Sequence, residues 1–288
     1  MQQPGSKSVK QSSMKRISIL LAGFIVLLGQ AAYTQTSEIR YEILLNNNML
    51  HEASLKEPLS YCLDVSPGNF VTISTASQMY LLGWGGITTI GNKSNKPLSS
   101  FAYTSDGLLM AVEDKDLCCL NKEGNWEILA KLPSPGMSLA SGKEVMYVYD
   151  NGQNKKRYHA FALARGGKYM HLLSSSEPVT GICEMNDSVY FSIGSGIYSY
   201  SPQNKKLVPF FALGRENKIS SLTSSQKEGI LYFSTMTAIY ALKGNSLVRI
   251  SAEFPSTTVK CYGNGLLIFN ASSNDILRIV NVQSSIEF

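Results

Sequence analysis

Short hydrophobic runs separated by turn-forming residues recur along most of the chain, and Val179–Leu213 is the plainest example. It contains four apolar runs, Val179–Glu184, Val189–Ile193, Ile197–Tyr200 and Leu207–Leu213. The segments between them are rich in Asn, Asp, Gly and Ser, which favour tight turns. This alternation predicts four short strands joined by hairpins, that is, one antiparallel meander.

The same unit is predicted six times. Its first strands are expected to begin near Ser60, Ser99, Met137, Val179, Ile219 and Thr257. A four-stranded repeat of about 40 residues is typical of one blade of a β-propeller. The sequence therefore predicts an all-β fold, a six-bladed β-propeller of four-stranded antiparallel blades.

A single strand, Ile39–Leu45, precedes the first unit, and the sixth unit ends in a stub at Ile286–Phe288. A propeller must join its last blade to its first, so we expect Ile39–Leu45 to add to the final sheet and close the ring. The alternative is that this strand belongs to an incomplete seventh blade. The predicted domains are an N-terminal segment, residues 36–58, and the propeller, residues 59–288.

Residues 1–35 have the layout of a secretory signal peptide. Four basic residues precede the apolar run Ile17–Leu28, and small and polar residues follow it. We therefore expect an exported protein, periplasmic or extracellular. The alternative is a membrane anchor formed by residues 17–33, which could cross a bilayer if tilted.

The charge of the chain excludes one class of partner. The net charge is +5, but four of the positive charges lie in residues 1–35, which hold no acidic residue. The remainder is thus near neutral, at about +1, and lacks the basic surface that nucleic acids require.

Cysteine and histidine give no recognisable reactive motif. Cys62, Cys183 and Cys261 align in the first strands with Ala102 and Ala140, which predicts a small buried side chain and no disulfide framework. The three histidines, His51, His159 and His171, have neither the spacing of a metal site nor an evident Ser-His-Asp arrangement. His159 is predicted in a third strand and His171 in a fourth.

Several turn-and-strand segments resemble one superfamily. Thr104–Gly107, Val65–Asn69, Ile239–Leu242 and Ser273–Ile279 are similar to the signatures of six-bladed propellers that include NHL-repeat, TolB-like and SMP-30/gluconolactonase-like proteins. The resemblance covers roughly Leu59 to Phe288. It implies, for the enzymatic members, a metal-dependent lactonase whose ion lies in the central tunnel on Glu, Asn and Asp side chains.

Asp64 and Glu184 are the channel candidates that this resemblance suggests. They lie near the ends of the first strands of blades 1 and 4, which face each other across the ring. Two carboxylates are few for a divalent ion that takes six or more oxygen ligands, so no metal and no cofactor are predicted. The favoured interpretation is that both are ordinary solvated strand ends. Trp84 and Trp126 are candidates for stacking a sugar or peptide.

Two functions follow from these observations. The favoured one is an exported, non-enzymatic propeller that acts as a binding or scaffold module for a protein or glycan partner. The alternative is a metal-dependent, lactonase-like hydrolase that uses the central tunnel.

Overall fold

The computed structural model describes residues 34–35, 40–52, 59, 62–75, 77–83, 86–90, 98–152, 155–164, 167–201, 203–251, 256–270, 273–282, 286 and 288. Residues 1–33, which hold nearly all of the predicted signal or anchor, lie outside this set, as does Trp84. The domain bounds and the export signal stay predictions. Among the described residues no helix is long and apolar enough to cross a membrane.

The chain forms six antiparallel sheets, and each holds the four strands of one blade. Blade 1 consists of β3 (Leu63–Val65), β4 (Val71–Ser74), β5 (Met79–Gly83) and β6 (Gly86–Thr89); blade 2 of β7 (Leu98–Tyr103), β8 (Leu109–Glu113), β9 (Asp116–Leu120) and β10 (Trp126–Lys131); blade 3 of β11 (Ser138–Ser141), β12 (Met146–Tyr149), β13 (Tyr158–Leu163) and β14 (Tyr169–Ser175). Blade 4 consists of β15 (Val179–Met185), β16 (Ser188–Ile193), β17 (Gly196–Ser201) and β18 (Lys206–Ala212); blade 5 of β19 (Ile219–Ser225), β20 (Ile230–Thr235), β21 (Ile239–Lys243) and β22 (Ser246–Ser251).

Blade 6 takes its fourth strand from the N-terminal segment. Its own strands are β23 (Ser256–Tyr262), β24 (Gly265–Asn270) and β25 (Asp275–Val280), and β2 (Arg40–Leu45) pairs antiparallel with β25. A short helix, α1 (Asn47–Glu52), follows β2, and a two-residue strand, β1 (Thr34–Gln35), pairs parallel with β22. The six-bladed prediction is confirmed, and every first strand begins within three residues of its predicted position.

The turns have the conformations that their residues favour. In the hairpin between β15 and β16, Asn186 and Asp187 have φ of 50° and 58°. Two successive positive φ angles are characteristic of a type I′ turn, whose twist matches that of the flanking strands. Asn and Asp are the non-glycine residues that adopt this region most readily, so the sequence determines the register here.

The first strands of successive blades adjoin one another around the whole ring, in the order β3, β7, β11, β15, β19, β23 and back to β3. Side chains of one first strand bond the backbone of the next. Ser100 Oγ accepts a hydrogen bond from the Leu139 N–H at 3.1 Å, and Ser221 Oγ accepts one from the Val259 N–H at 3.2 Å. The partners are 39 and 38 residues apart, about one repeat.

The hydrophobic core lies mainly between the blades. One cluster joins blades 5 and 6 through residues such as Tyr232, Val248 and Ile268, all 1% exposed or less. Another joins blades 3 and 4 through Tyr147, Ala160 and Phe191. Each sheet therefore buries its faces against its neighbours, which holds the ring together and leaves the first strands around the axis.

Candidate functional site: the axial cavity

A cavity of about 480 Å³ lies on the propeller axis. Residues from all six first strands line it, together with the last residue of β12 in blade 3 and one residue beyond that strand. The lining residues are Cys62, Leu63, Ser99, Ser100, Phe101, Ser138, Leu139, Ala140, Tyr149, Asn151, Thr180, Gly181, Ile182, Ser220, Ser221, Leu222, Thr258 and Lys260. A second cavity, of about 440 Å³, lies off the axis between blades 2 and 3. Only the axial cavity is built by the repeated strand that every blade supplies.

Hydroxyl groups dominate the polar lining of the axial cavity, and β-bulges help to place them. The pairing of the first strand with the second shifts register at Ser99, Thr180 and Ser220, in blades 2, 4 and 5. A bulge residue is left outside the ladder and its side chain is re-aimed, which is why bulges are common beside active sites. All three bulge residues line the cavity.

Of the lining residues that the structure describes, Lys260 in β23 is the charged one. Its Nζ lies 2.8 Å from Oδ1 of Asp64 in the neighbouring blade 1. The other carboxylate oxygen, Oδ2, accepts a hydrogen bond from the Tyr103 N–H at 2.8 Å. About a quarter of the Lys260 side chain, 26%, is exposed, whereas only 9% of the Asp64 side chain is exposed. The ion pair thus presents its ammonium side to the cavity.

Burial and charge act in opposite directions on Lys260. Burial lowers the pKa of an ammonium group, but the charge and hydrogen bond of Asp64 outweigh it, so the pKa of Lys260 is raised above its ordinary value. Lys260 is therefore fully protonated at neutral pH. Burial also raises the pKa of Tyr149 to about 12, so its phenol is neutral and can donate a hydrogen bond.

Asp64 and Lys260 occupy the same position of the repeat. Lys260 is the third residue after the bulge in blade 6, as Ala102, Cys183 and Thr223 are in blades 2, 4 and 5. Cys62 Sγ accepts a hydrogen bond from the Phe101 N–H of the next blade, as Ser100 Oγ accepts one from the Leu139 N–H, so Cys62 and Ser100 are equivalent. Asp64 lies two residues after Cys62 and is therefore equivalent to Ala102. The prediction that Cys62 and Cys261 align with Ala102 is therefore wrong, because Asp64 and Lys260 occupy that position of the repeat.

Glu184, the second channel candidate, does not join Asp64. It lies one residue beyond Cys183, so its side chain is on the opposite face of the strand. There Oε1 accepts a hydrogen bond from the Tyr147 hydroxyl, and Oε2 accepts one from the Lys143 N–H at 2.9 Å. Both donors belong to blade 3. Glu184 therefore joins blades 3 and 4 and contributes nothing to the lining of the axial cavity.

The residues around the tunnel do not fit a divalent metal ion. Both oxygens of Asp64 and both oxygens of Glu184 already accept hydrogen bonds from protein donors. Within the described ranges, no group of three or more His, Cys, Asp or Glu residues is arranged to hold a metal. The Lys260 ammonium would also repel a cation at this place. A metal-dependent mechanism in the tunnel therefore has no support from the donor set.

The remaining sequence candidates lie elsewhere. Trp126, at the start of β10, is half-buried against the hydrophobic cluster that contains Met79 and Leu98, as a packing residue would be. The five cysteines, all of them described, are not joined in disulfide bonds. Burial raises the pKa of Cys62 and Cys261 to about 11 and that of Cys183 to about 12, so these thiols are neutral at physiological pH. His159 and His171 lie in the third and fourth strands of blade 3, in contact with each other.

Sequence reasoning missed Lys260. The signal was present, because a lysine stands where three other first strands have Ala102, Cys183 and Thr223. A bulge adds one residue to a strand without any apolar or turn signature in the sequence. The first strands of the six blades therefore cannot be aligned correctly from the sequence, and the equivalence of Lys260 with Ala102 is missed.

Comparison with known proteins places the fold among enzymes and binding proteins of one architecture. No protein-family model matches the chain, and no curated protein matches it. Among solved structures, a gluconolactonase from Xanthomonas campestris matches with a TM-score of 0.66 and 12% identity, over 85% of this chain and 90% of that chain. Regucalcin from Agrobacterium tumefaciens, a calcium-binding protein, matches with a TM-score of 0.66 and 15% identity, over 87% and 96%. A luciferin-regenerating enzyme matches with a TM-score of 0.65 and 11% identity, over 85% and 96%.

These matches confirm the predicted resemblance to the SMP-30/gluconolactonase-like propellers at the level of the fold. They also correct the favoured function. The expectation of a non-enzymatic binding or scaffold module is wrong as the main reading, because these structural neighbours are a gluconolactonase, a luciferin-regenerating enzyme and regucalcin, and they favour the hydrolase alternative.

Proposed function

We propose that this protein is a hydrolase that opens a small lactone in the axial cavity without a metal ion. The observation that carries the proposal is the ion pair between Lys260 and Asp64, set in the wall of a cavity of about 480 Å³ that all six blades line. The likeness to propellers named as a gluconolactonase and a luciferin-regenerating enzyme supports an enzyme over an inert scaffold.

The ammonium of Lys260 supplies the electrophilic group that the reaction needs. Addition of water to the lactone carbonyl places negative charge on the carbonyl oxygen, and a positively charged donor beside that oxygen stabilises the transition state. A lysine has three N–H donors, and the contact with Asp64 uses one of them. Asp64 is a positioning residue, because it orients the ammonium and keeps it charged.

The lining of the cavity favours a polyhydroxylated substrate such as a sugar lactone. Serine and threonine hydroxyls both donate and accept hydrogen bonds, as the hydroxyls of a sugar ring do. Ser99, Thr180 and Ser220 line the cavity from three blades, and Asn151 adds an amide. The Thr180 hydroxyl also bonds that of Ser192 at 3.0 Å. Among the described lining residues none carries a carboxylate, which favours a neutral or anionic ring.

The first test is hydrolysis of a panel of lactones by the purified full chain, followed by proton release. The panel includes aldono-1,5-lactones, γ-butyrolactone and an aryl ester, each assayed with and without a chelator. We expect turnover of at least one sugar lactone at a rate that the chelator leaves unchanged. Turnover that the chelator abolishes would contradict the metal-free mechanism, and no turnover of any member would contradict the hydrolase.

Lys260→Met is the decisive variant, and Lys131→Met is its control. Lys131 also pairs with a buried carboxylate, that of Asp116, but on the outer strands of blade 2. We expect Lys260→Met to lower kcat at least 100-fold, as loss of one transition-state donor typically does. Lys131→Met should leave kcat within about twofold. Equal losses in both variants would indicate a folding defect and no role for Lys260.

We also propose that the enzyme acts after export, on the strength of the basic, apolar and small-residue segments within residues 1–35. Mass spectrometry of the protein recovered outside the cytoplasm should show a new N-terminus close to residue 35. An intact N-terminus in a membrane fraction would support the anchor instead.

A further inference from the structure

Two of the three histidines in the chain meet on the outer strands of blade 3. His159 Nδ1 lies 3.4 Å from His171 Nε2. The hydroxyl of Ser174 lies between them, 2.9 Å from His159 Nδ1 and 3.0 Å from His171 Nε2. The imidazoles are partly or fully exposed, whereas the strand residues beside them, Ala160 and Leu173, are buried.

A β-bulge assembles this cluster. His171 and Ser174 are three residues apart in β14, and in a regular strand such residues point to opposite faces. The pairing of β13 with β14 shifts register here, since Ala160 pairs with Leu173 and Phe161 with His171. Leu172 is the extra residue. The shift turns the side chain of Ser174 to the same face of the sheet as that of His171. Ser174 is also the cross-strand partner of His159, so all three side chains share this face.

We propose that His159, His171 and Ser174 form a binding site for one late first-row divalent metal ion, Zn²⁺ or Cu²⁺. In a tetrahedral zinc site with Zn–N bonds of about 2.0–2.1 Å, two ligand nitrogens are about 3.3 Å apart. The observed separation of 3.4 Å is within a tenth of an ångström of that value. Two imidazole nitrogens are ligands that both ions accept, the serine hydroxyl is placed as a third, and water completes the shell.

The side chains around the cluster hold the imidazoles in place. The ring of His171 packs edge-on against Phe161 at 5.4 Å, and the ring of His159 lies 6.1 Å from the same phenyl group. Phe161 in turn packs against Tyr169 at 6.3 Å. Binding therefore costs little side-chain entropy, because both ligands already share one face with their nitrogens converging.

The nearest lysines in the hydrogen-bond network do not oppose a cation. Lys131 is linked to the cluster through Tyr169, whose hydroxyl donates to the Lys131 carbonyl, and its ammonium pairs with Asp116. Lys155 pairs with Asp150, and Asp150 Oδ2 also accepts a hydrogen bond from the His159 N–H. Each positive charge is thus offset by a buried carboxylate.

The site can be tested on the full chain by calorimetric titration with Zn²⁺ and by electron paramagnetic resonance with Cu²⁺. We expect one ion per chain and a copper spectrum with splitting from two nitrogens. His159→Ala and His171→Ala should each weaken binding at least about 10-fold, whereas Ser174→Ala should weaken it only a few-fold. Circular dichroism of each variant establishes that the propeller is intact.

His51→Ala is the matched control, because His51 lies in α1 of the N-terminal segment and not in blade 3. It should leave affinity and spectrum unchanged. Lys260→Met should also leave binding unchanged, which separates this site from the proposed hydrolase, whose failure would not affect it. The proposal is overturned if neither ion binds at millimolar concentration, if the two blade 3 variants bind as the wild type does, or if His51→Ala abolishes binding.

Discussion

Asp64 and Glu184 lie near the ends of equivalent first strands in blades 1 and 4, yet they perform different tasks. Asp64 holds the ammonium of Lys260 at the axial cavity, and Glu184 binds Tyr147 and the Lys143 N–H at the junction of blades 3 and 4. One residue of register separates the two positions, and in a strand one residue exchanges the two faces. In the first strand of a propeller blade, the face on which a carboxylate lies therefore determines whether it contributes to the axial cavity or to the contact between blades.

The largest expected effect comes from breaking the ion pair at Asp64. Lys260→Met leaves a buried carboxylate without its cation, and loss of one partner of a buried pair is strongly destabilising. We expect the free energy of unfolding to fall by about 3 kcal/mol, the lower end of the range for buried pairs, because Lys260 is partly exposed. Urea denaturation measures this loss.

The double variant Asp64→Asn/Lys260→Met sharpens the result, since it removes both charges. It should recover at least half of the loss, as expected when the cost arises from an uncompensated charge. Lys155→Met offers a matched comparison, because its pair with Asp150 has similar exposure, 31% and 3%. A double variant as unstable as the single variant would contradict the account of Asp64.

A smaller effect is expected at Glu184. Glu184→Gln keeps the shape of the side chain but removes the charge that strengthens the bonds from Tyr147 and Lys143 N. We expect a loss of about 1 kcal/mol in the free energy of unfolding and no change in lactone turnover. Tyr147→Phe should match it in size. A loss of turnover in either variant would mean that Glu184 does serve the axial site.

The effect that is smallest at neutral pH concerns the thiols beside the two carboxylates. Burial raises the pKa of Cys62 to about 11 and that of Cys183 to about 12. The unfolded chain loses these protons near pH 9, whereas the folded chain keeps them, so the stabilising contribution is complete below pH 9 and is lost as the pH rises through 11 and 12.

Thermal unfolding between pH 8 and 12 measures this dependence, and the two thiols differ most above pH 11. We expect Cys183→Ala to flatten the fall in stability above pH 9 more than Cys62→Ala does, because the pKa of Cys183 is the more strongly raised. Identical profiles for wild type and both variants would place the alkaline instability elsewhere.

The fold could be predicted because it depends on patterns that repeat. Strand length, turn residues and the period of the unit recur in every blade, and the type I′ turn at Asn186 and Asp187 requires only its own two residues. The site could not be predicted to the same depth. Lys260 and Asp64 are 196 positions apart in the chain and meet because blade 6 adjoins blade 1, in a register that bulges set. The cluster of His159, His171 and Ser174 likewise depends on a bulge, at Leu172, which the sequence does not indicate.

The strand that completes blade 6 determines when folding can end. Glu42 in β2 pairs with Arg278 in β25, at a separation of 236 residues, so these two strands can meet only after the five intervening blades have been synthesised. Blades 1 to 5 can form during synthesis, but until β2 pairs with β25 blade 6 is incomplete and the ring is not closed. A chaperone that binds β2 would therefore keep the ring open even after β25 has been synthesised.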